Sequence, residues 1–142
     1  MSDTQRTDLA LLLLRVSLGV MAFAHGFLLK VLVFTPAGTA KFFESVGYPA
    51  FFAYIIILAE TLGGLALIAG VFTRLAAVGL IPILIGATLM HAGNGWVFST
   101  PNGGWEFPAF WTVALVVQAL LGPGGYSLGR LLPNSLPGLV RA

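Results

Sequence analysis

Four stretches of near-continuous apolar sequence decide what this chain can fold into. They cover approximately residues 9–34, 50–72, 75–91 and 107–121. A helix that crosses a bilayer needs about 20 mostly apolar residues, in a range of about 17–25. The first two stretches are long enough. The last two are short, which local thinning of the bilayer or snorkelling of their polar ends accommodates. A surface helix of a soluble domain keeps a polar face, and these segments leave almost none. Only 8% of the 142 residues are charged and 58% are hydrophobic, against about 25% charged in soluble domains. The expected fold is all-α: an integral membrane four-helix bundle, a single transmembrane domain over residues 1–142 with a C-terminal tail at 122–142.

The links between these stretches differ. Thr73-Arg74 is a tight turn between the second and third. Residues 35–49 open on TPAG and close on VGYP. There Thr35-Pro36 suits an N-cap and first helical position, and Gly47 suits a helix stop. Phe42, Phe43 and Val46 would share one face, so a short interfacial helix is expected. Residues 92–106, AGNGWVFSTPNGGWE, read as turns. The tail begins GPGGYSL, a helix stop, and is too broken by Pro and Gly to span. Ala22-Phe23-Ala24 mimics a signal cleavage site, but Arg15 would fall inside the apolar region of such a leader. The first stretch therefore reads as a span.

Four spans put both termini and the 73–74 turn on one side. Arg6, Arg74, Arg130 and Arg141 lie there, with Arg15 just inside the bilayer. Lysine and arginine favour the cytoplasmic side, so both termini are expected in the cytoplasm, at the bacterial inner membrane. The three tryptophans, Trp96, Trp105 and Trp111, then fall at the outer interface with Phe98, Phe107 and Phe110. That belt anchors the protein or caps a pocket.

Ionisable residues at membrane depth usually face the protein interior and pair. At 100° per residue, Arg15, Gly19, Ala22 and Gly26 share one face of the first span, a small-residue stripe suited to close helix contact. Glu60 lies on a similar stripe with Ala53, Gly64 and Leu67. At a rise of about 1.5 Å per residue, Glu60 and His25 come to similar depth, with Arg15 about 9 Å further toward the cytoplasmic side. A Glu60 carboxylate between Arg15 and His25 is the economical expectation. Lys30 is expected to snorkel to the outer surface, where His91 and Glu106 border the outer loop. Pro82, with Gly79 and Gly86, marks a kink in the third span.

Composition excludes several classes of function. There is no cysteine, so no disulfide, thiolate site or iron–sulfur cluster is carried by the chain. The seven basic residues form no block, which argues against nucleic acid as a partner. His25, Glu60 and His91 have no metal-ligand spacing, so no metal is expected. A structural reading of Arg15–Glu60, as a buried pair that fixes helix register, stands beside the functional one.

Several of these pieces together resemble the DoxX family of small four-helix membrane proteins, over about residues 9–128. They are Arg15 with Gly19, His25-Gly26 followed by Lys30, the loop end VGYP, the run AETLGGLALIAGVFTRLAA and the ending GPGGYSL. Two departures stand out. The family often has HG-x-x-K, where Lys30 comes one residue later, and it often has an acid where this chain has Gly129. The resemblance implies membrane redox chemistry, with a quinone as possible cofactor and electrons from a redox partner subunit. Under that expectation Glu60 and His25 are the catalytic candidates. Arg15, His25, Glu60, His91, Trp96, Trp105 and Trp111 are the ligand-binding candidates. The alternatives are a non-enzymatic scaffold or homo-oligomer in the lipid bilayer, and a carrier of a small molecule.

Overall fold

A computed structural model describes residues 1–133 and 137–142. All regular structure among them is helical. Helix α1 spans Asp3–Phe23 and continues without a break as a π-helix over Ala24–Val33. Helices α2 (Pro36–Ser45), α3 (Phe51–Ala69), α4 (Thr73–His91) and α5 (Glu106–Leu121) follow. A 3-10 turn at Leu128–Leu131 and the short α6 (Gly138–Arg141) lie in the tail.

Three helical stretches are long and apolar enough to cross a membrane: Asp3–Val33, Phe51–Ala69 and Thr73–Asn94. The 16 residues of α5 reach about 24 Å, short of a hydrocarbon core about 30 Å thick. The first helix begins earlier than its apolar run, at Asp3, because Ser2 and Gln5 form a capping box. Thr35 caps α2 with Pro36 at its first position, as expected from TPAG.

The helices meet through the faces expected from spacing. Leu11, Arg15, Leu18, Gly19 and Ala22 are the buried positions of α1, and Gly26 is buried in the π-helix. Ala53, Ile57, Glu60, Gly64 and Leu67 are buried in α3. The antiparallel α1–α3 contact is closest at Gly19 and Gly64. A methyl group at Gly19 would sit 2.7 Å from the Gly64 carbonyl oxygen, and one at Gly64 would sit 2.5 Å from the Phe23 nitrogen. Leu80 and Leu84 of α4 and Trp111 and Leu115 of α5 complete the core with Leu18 and Leu67.

Both termini lie at one end of the molecule, called here the terminal end. Gly125 N–H donates to Asp8 Oδ1 (2.6 Å), and Phe72 N–H donates to the Val140 carbonyl (2.9 Å). The tail thus folds back over the α3–α4 turn, where Gly70 takes a left-handed φ of 72°. At the opposite, loop end, the segment between α4 and α5 is held by Asn94 Nδ2, which donates to the carbonyls of Asn102 (3.1 Å) and Gly103 (2.9 Å). Phe98 N–H donates to Glu106 Oε1 (2.9 Å).

Candidate functional site

The expected Arg15–Glu60–His25 cluster does not form. Arg15 Nη1 donates to the Leu67 (2.5 Å) and Ile68 (2.7 Å) carbonyls, and Nη2 donates to the Tyr126 carbonyl (2.8 Å). The reason is register. With Gly19 opposite Gly64, Arg15 stands opposite Ile68, at the C-terminus of α3. The last carbonyls of a helix have no partner within it and carry the negative end of the dipole. Glu60 lies against Gly26, eleven residues further along the first helix, or about 16 Å away. Arg15 is 1% exposed and closes the nearer helix end.

Arg74 does the same for α5. Its Nη1 donates to the Ala119 (2.9 Å) and Leu120 (3.1 Å) carbonyls. Two arginines thus close the C-terminal ends of two helices, α3 and α5, at the terminal end.

Glu60 pairs with Lys30. Lys30 Nζ donates to Glu60 Oε2 at 2.6 Å and to the His25 carbonyl at 3.3 Å. Both side chains are largely buried, at 19% and 7% exposure. Lys30 was expected to reach the outer surface, and it folds the other way. Side chains on a helix lean toward its N-terminus, which for this helix is back toward the level of Glu60.

The π-helix makes that contact possible. A π-helical segment closes i→i+5 bonds and often marks a functional site. Here Lys30 Nζ reaches back to the carbonyl five residues earlier, within its own π-helical turn. The one-residue offset between His-Gly and Lys coincides with the stretch that carries the wider turn. Gly26 lets the segment press on α3, since a methyl group there would lie 2.7 Å from Glu60 Cβ and from the Thr61 nitrogen. Thr39 of α2 ties that helix to the segment by donating to the Lys30 carbonyl (3.2 Å).

His25 turns toward α5. Its ring centroid is 5.0 Å from that of Trp111 in an edge arrangement and 6.4 Å from that of Phe107. Nδ1 is 2.9 Å from the Met21 carbonyl oxygen. A carbonyl only accepts, so Nδ1 is assigned a proton and Nε2 is the ring nitrogen left free to face a partner. Trp111 is not part of an outer belt: it is 3% exposed, and its Nε1 has no hydrogen-bond partner among the described residues. Trp96 and Trp105 do pair at the loop end, with centroids 4.5 Å apart. His91 also stays there, its Nδ1 3.2 Å from the Gly103 carbonyl oxygen. It lines an open apolar groove of about 510 Å³ with Phe98, Gly103, Gly104, Phe107 and Pro108. Phe107 faces both the groove and His25.

Of the expected site residues, the structure therefore groups His25 with Trp111, and Glu60 with Lys30 beside the His25 backbone. It separates Arg15 from them and leaves His91, Trp96 and Trp105 at the loop end. Lys30, Phe107 and Thr61 belong to the central group and were not among the expected site residues. The histidine-lysine offset was the one sequence signal pointing to Lys30. Among the described residues, no group of three or more His, Asp or Glu side chains is placed to hold a metal ion.

The helices that frame this group place it in a lipid bilayer, and comparisons with known proteins agree. The chain is 40% identical to the Bacillus subtilis (strain 168) protein named "Putative oxidoreductase CatD" over 82 residues. That match covers 58% of this chain, which spans 59% of the length of that relative. It is 34% identical to "Inner membrane protein YqjF" of Escherichia coli (strain K12) over 99 residues, 68% of this chain and 73% of that protein. No solved structure matches the chain. The DoxX family model matches residues 10–93. This match takes in most of α1, the π-helix with His25 and Lys30, α3 with Glu60, and α4, which is more than half of the chain, so this integral membrane protein belongs to the DoxX family.

Proposed function

We propose that the chain is a quinone- or quinol-interacting subunit of a redox system in the bacterial inner membrane, working with a redox partner subunit. In this reading α1 with its π-helix, α3, α4 and α5 all span the bilayer as one domain, with both termini in the cytoplasm. The lysine and arginine distribution supports that orientation. The names of the two relatives, one an oxidoreductase and one an inner membrane protein, support the class and the location.

The observation that carries the reading is the buried Lys30–Glu60 pair on a π-helical turn that also bears His25. Ionisable groups at membrane depth are expensive and usually serve a function. The residues present fit an aromatic ring that bears carbonyl groups. Trp111 Nε1 is a buried donor without an acceptor, and Phe107, Trp111 and His25 offer aromatic surface. A bound quinone would supply two-electron, two-proton chemistry. His25 Nε2 would hold a proton next to it or release one. Glu60 would exchange protons at Oε2, and Lys30 would steady the carboxylate charge when no proton is bound. Arg15 takes no part, since its charge is spent on the end of α3. The loop-end groove at His91, flanked by Trp96 and Trp105, would receive the apolar part of the ligand.

The test is extraction of small molecules from the purified protein, followed by mass spectrometry. Quinone should copurify with the wild type and be lost in His25→Ala at unchanged expression. Finding only acyl lipids in the wild type would refute the reading.

A further inference from the structure

At the loop end, the chain gathers large aromatic side chains around one carboxylate. The segment 95–98 pairs with the start of α5. Glu106 N–H donates to the Trp96 carbonyl (3.1 Å), and Trp105 N–H donates to the Gly95 carbonyl (3.2 Å). Phe98 N–H donates to Glu106 Oε1 (2.9 Å). Gly104 has no room for a methyl group against the Trp96 and Val97 carbonyls, so the loop is tightly packed there. Glu106 thus fixes Trp96 through its backbone and Phe98 through its side chain.

Helix α5 continues the site. At 100° per residue, Glu106, Ala109, Phe110 and Val113 fall within about 100° of one another. Val113 lies about 10 Å along the helix from Glu106. These four residues line an open groove of about 540 Å³, and Trp96, Phe98 and Phe107 complete it. The volume is that of small-molecule sites. This groove is separate from the one beside His91, although Phe98 and Phe107 line both.

The groove holds one charge. Glu106 is the only ionisable residue in its lining, and it makes no ion pair among the described residues. Oε1 accepts from the Phe98 N–H, and Oε2 has no hydrogen-bond partner among the described residues. Trp96, Phe98 and Phe110 beside it are 56%, 67% and 74% exposed. Anchoring at a membrane surface accounts for exposed tryptophan, but it calls for neither an unpaired carboxylate nor a groove. Aromatic rings with a carboxylate among them attract an organic cation. No lysine or arginine lines the groove, so a phosphate would find no counter-charge there. Ala109 and Val113 extend the lining as apolar surface toward the middle of α5.

We propose that this groove binds an amphiphilic organic monocation. Its ammonium head sits at Glu106 Oε2 among Trp96, Phe98 and Phe110, and its apolar body lies along Ala109 and Val113. The proposal does not rest on the quinone reading, and its test substitutes none of the residues used there.

The test is titration of the full chain in dodecyl maltoside with decyltrimethylammonium, followed by the saturable change in tryptophan fluorescence. Decyl glucoside is the neutral control with the same chain, and decylphosphocholine adds a phosphate. The cation should bind at least about tenfold more tightly than either. Glu106→Gln keeps an acceptor for the Phe98 N–H and should weaken cation binding at least about tenfold. Phe110→Leu should weaken it about threefold. Equal binding of the cation and the neutral control overturns the proposal. So does cation binding that is unchanged in Glu106→Gln. Decylphosphocholine binding as tightly as the cation also overturns it and assigns the groove to a phospholipid headgroup. If Glu106→Gln fails to fold, the ranking of the three probes on the unaltered protein decides by the same criteria.

Discussion

Lys30 reaches Glu60 across 2.6 Å from a helix that has already passed the level of that carboxylate. It does so by folding back along a π-helical turn, with its ammonium also donating to the His25 carbonyl. The contact joins the first and third helices through the polar pair in the apolar interior.

Breaking this pair from one side should be costly. Glu60→Gln or Lys30→Met leaves one buried charge without its partner and should destabilise the fold by about 3–5 kcal/mol. The double variant Lys30→Met/Glu60→Leu should recover most of that loss. Chemical unfolding in detergent measures the cycle, and a double variant as unstable as the singles would refute the pairing.

The π-helix should be the element that holds the register. Deleting Leu28 removes one residue from the wide turn and lets the segment close as an α-helix. Lys30 then rotates away from Glu60. The deletion should lose about as much stability as Lys30→Met, and adding Lys30→Met to it should cost less than about 0.5 kcal/mol more. A large further loss would mean that the pair survives in the α register.

Arg15 should act on α3 and not on Glu60. Arg15→Lys exchanges a planar fork for a point charge and forfeits carbonyl bonds, at about 2–4 kcal/mol. Combined with Glu60→Gln, the losses should add within about 0.5 kcal/mol. A strong coupling energy would restore the Arg15–Glu60 pair as a functional unit.

Glycines that look alike in the sequence should respond in opposite ways. Gly64→Ala puts a methyl group against the Phe23 backbone and should destabilise by about 1–3 kcal/mol. Gly79 has no neighbour within 4 Å of such a methyl group. There Ala should be neutral or stabilise the helix by up to about 1 kcal/mol. Thermal unfolding of the two variants separates them.

Much of the fold was legible because it rests on length and period. The apolar runs located the helices, the small-residue stripes located the α1–α3 contact, and TPAG located the start of α2. The site was legible only in part. Arg15 binds backbone carbonyls instead of a carboxylate, and such carbonyls carry no signature in the sequence. The i→i+5 turn is equally silent, because no apolar period marks ten residues of π-helix within a longer apolar run. Side-chain length alone therefore points Lys30 to the surface. Tryptophan's preference for interfaces points Trp111 to the belt, yet its position in α5 faces Leu18 and Leu67 in the core.

The arginine-closed helix ends have one more consequence. With Arg15 fastened to α3, Arg74 fastened to α5, and the tail folded across the α3–α4 turn, the molecule is tied at one end like a pair of forceps. Helices joined that way separate by pivoting at the tied end, so displacement grows toward the opposite tips. His25, Phe107 and the groove beside His91 lie on the loop side of that knot, where any such displacement would be larger than at the tied end.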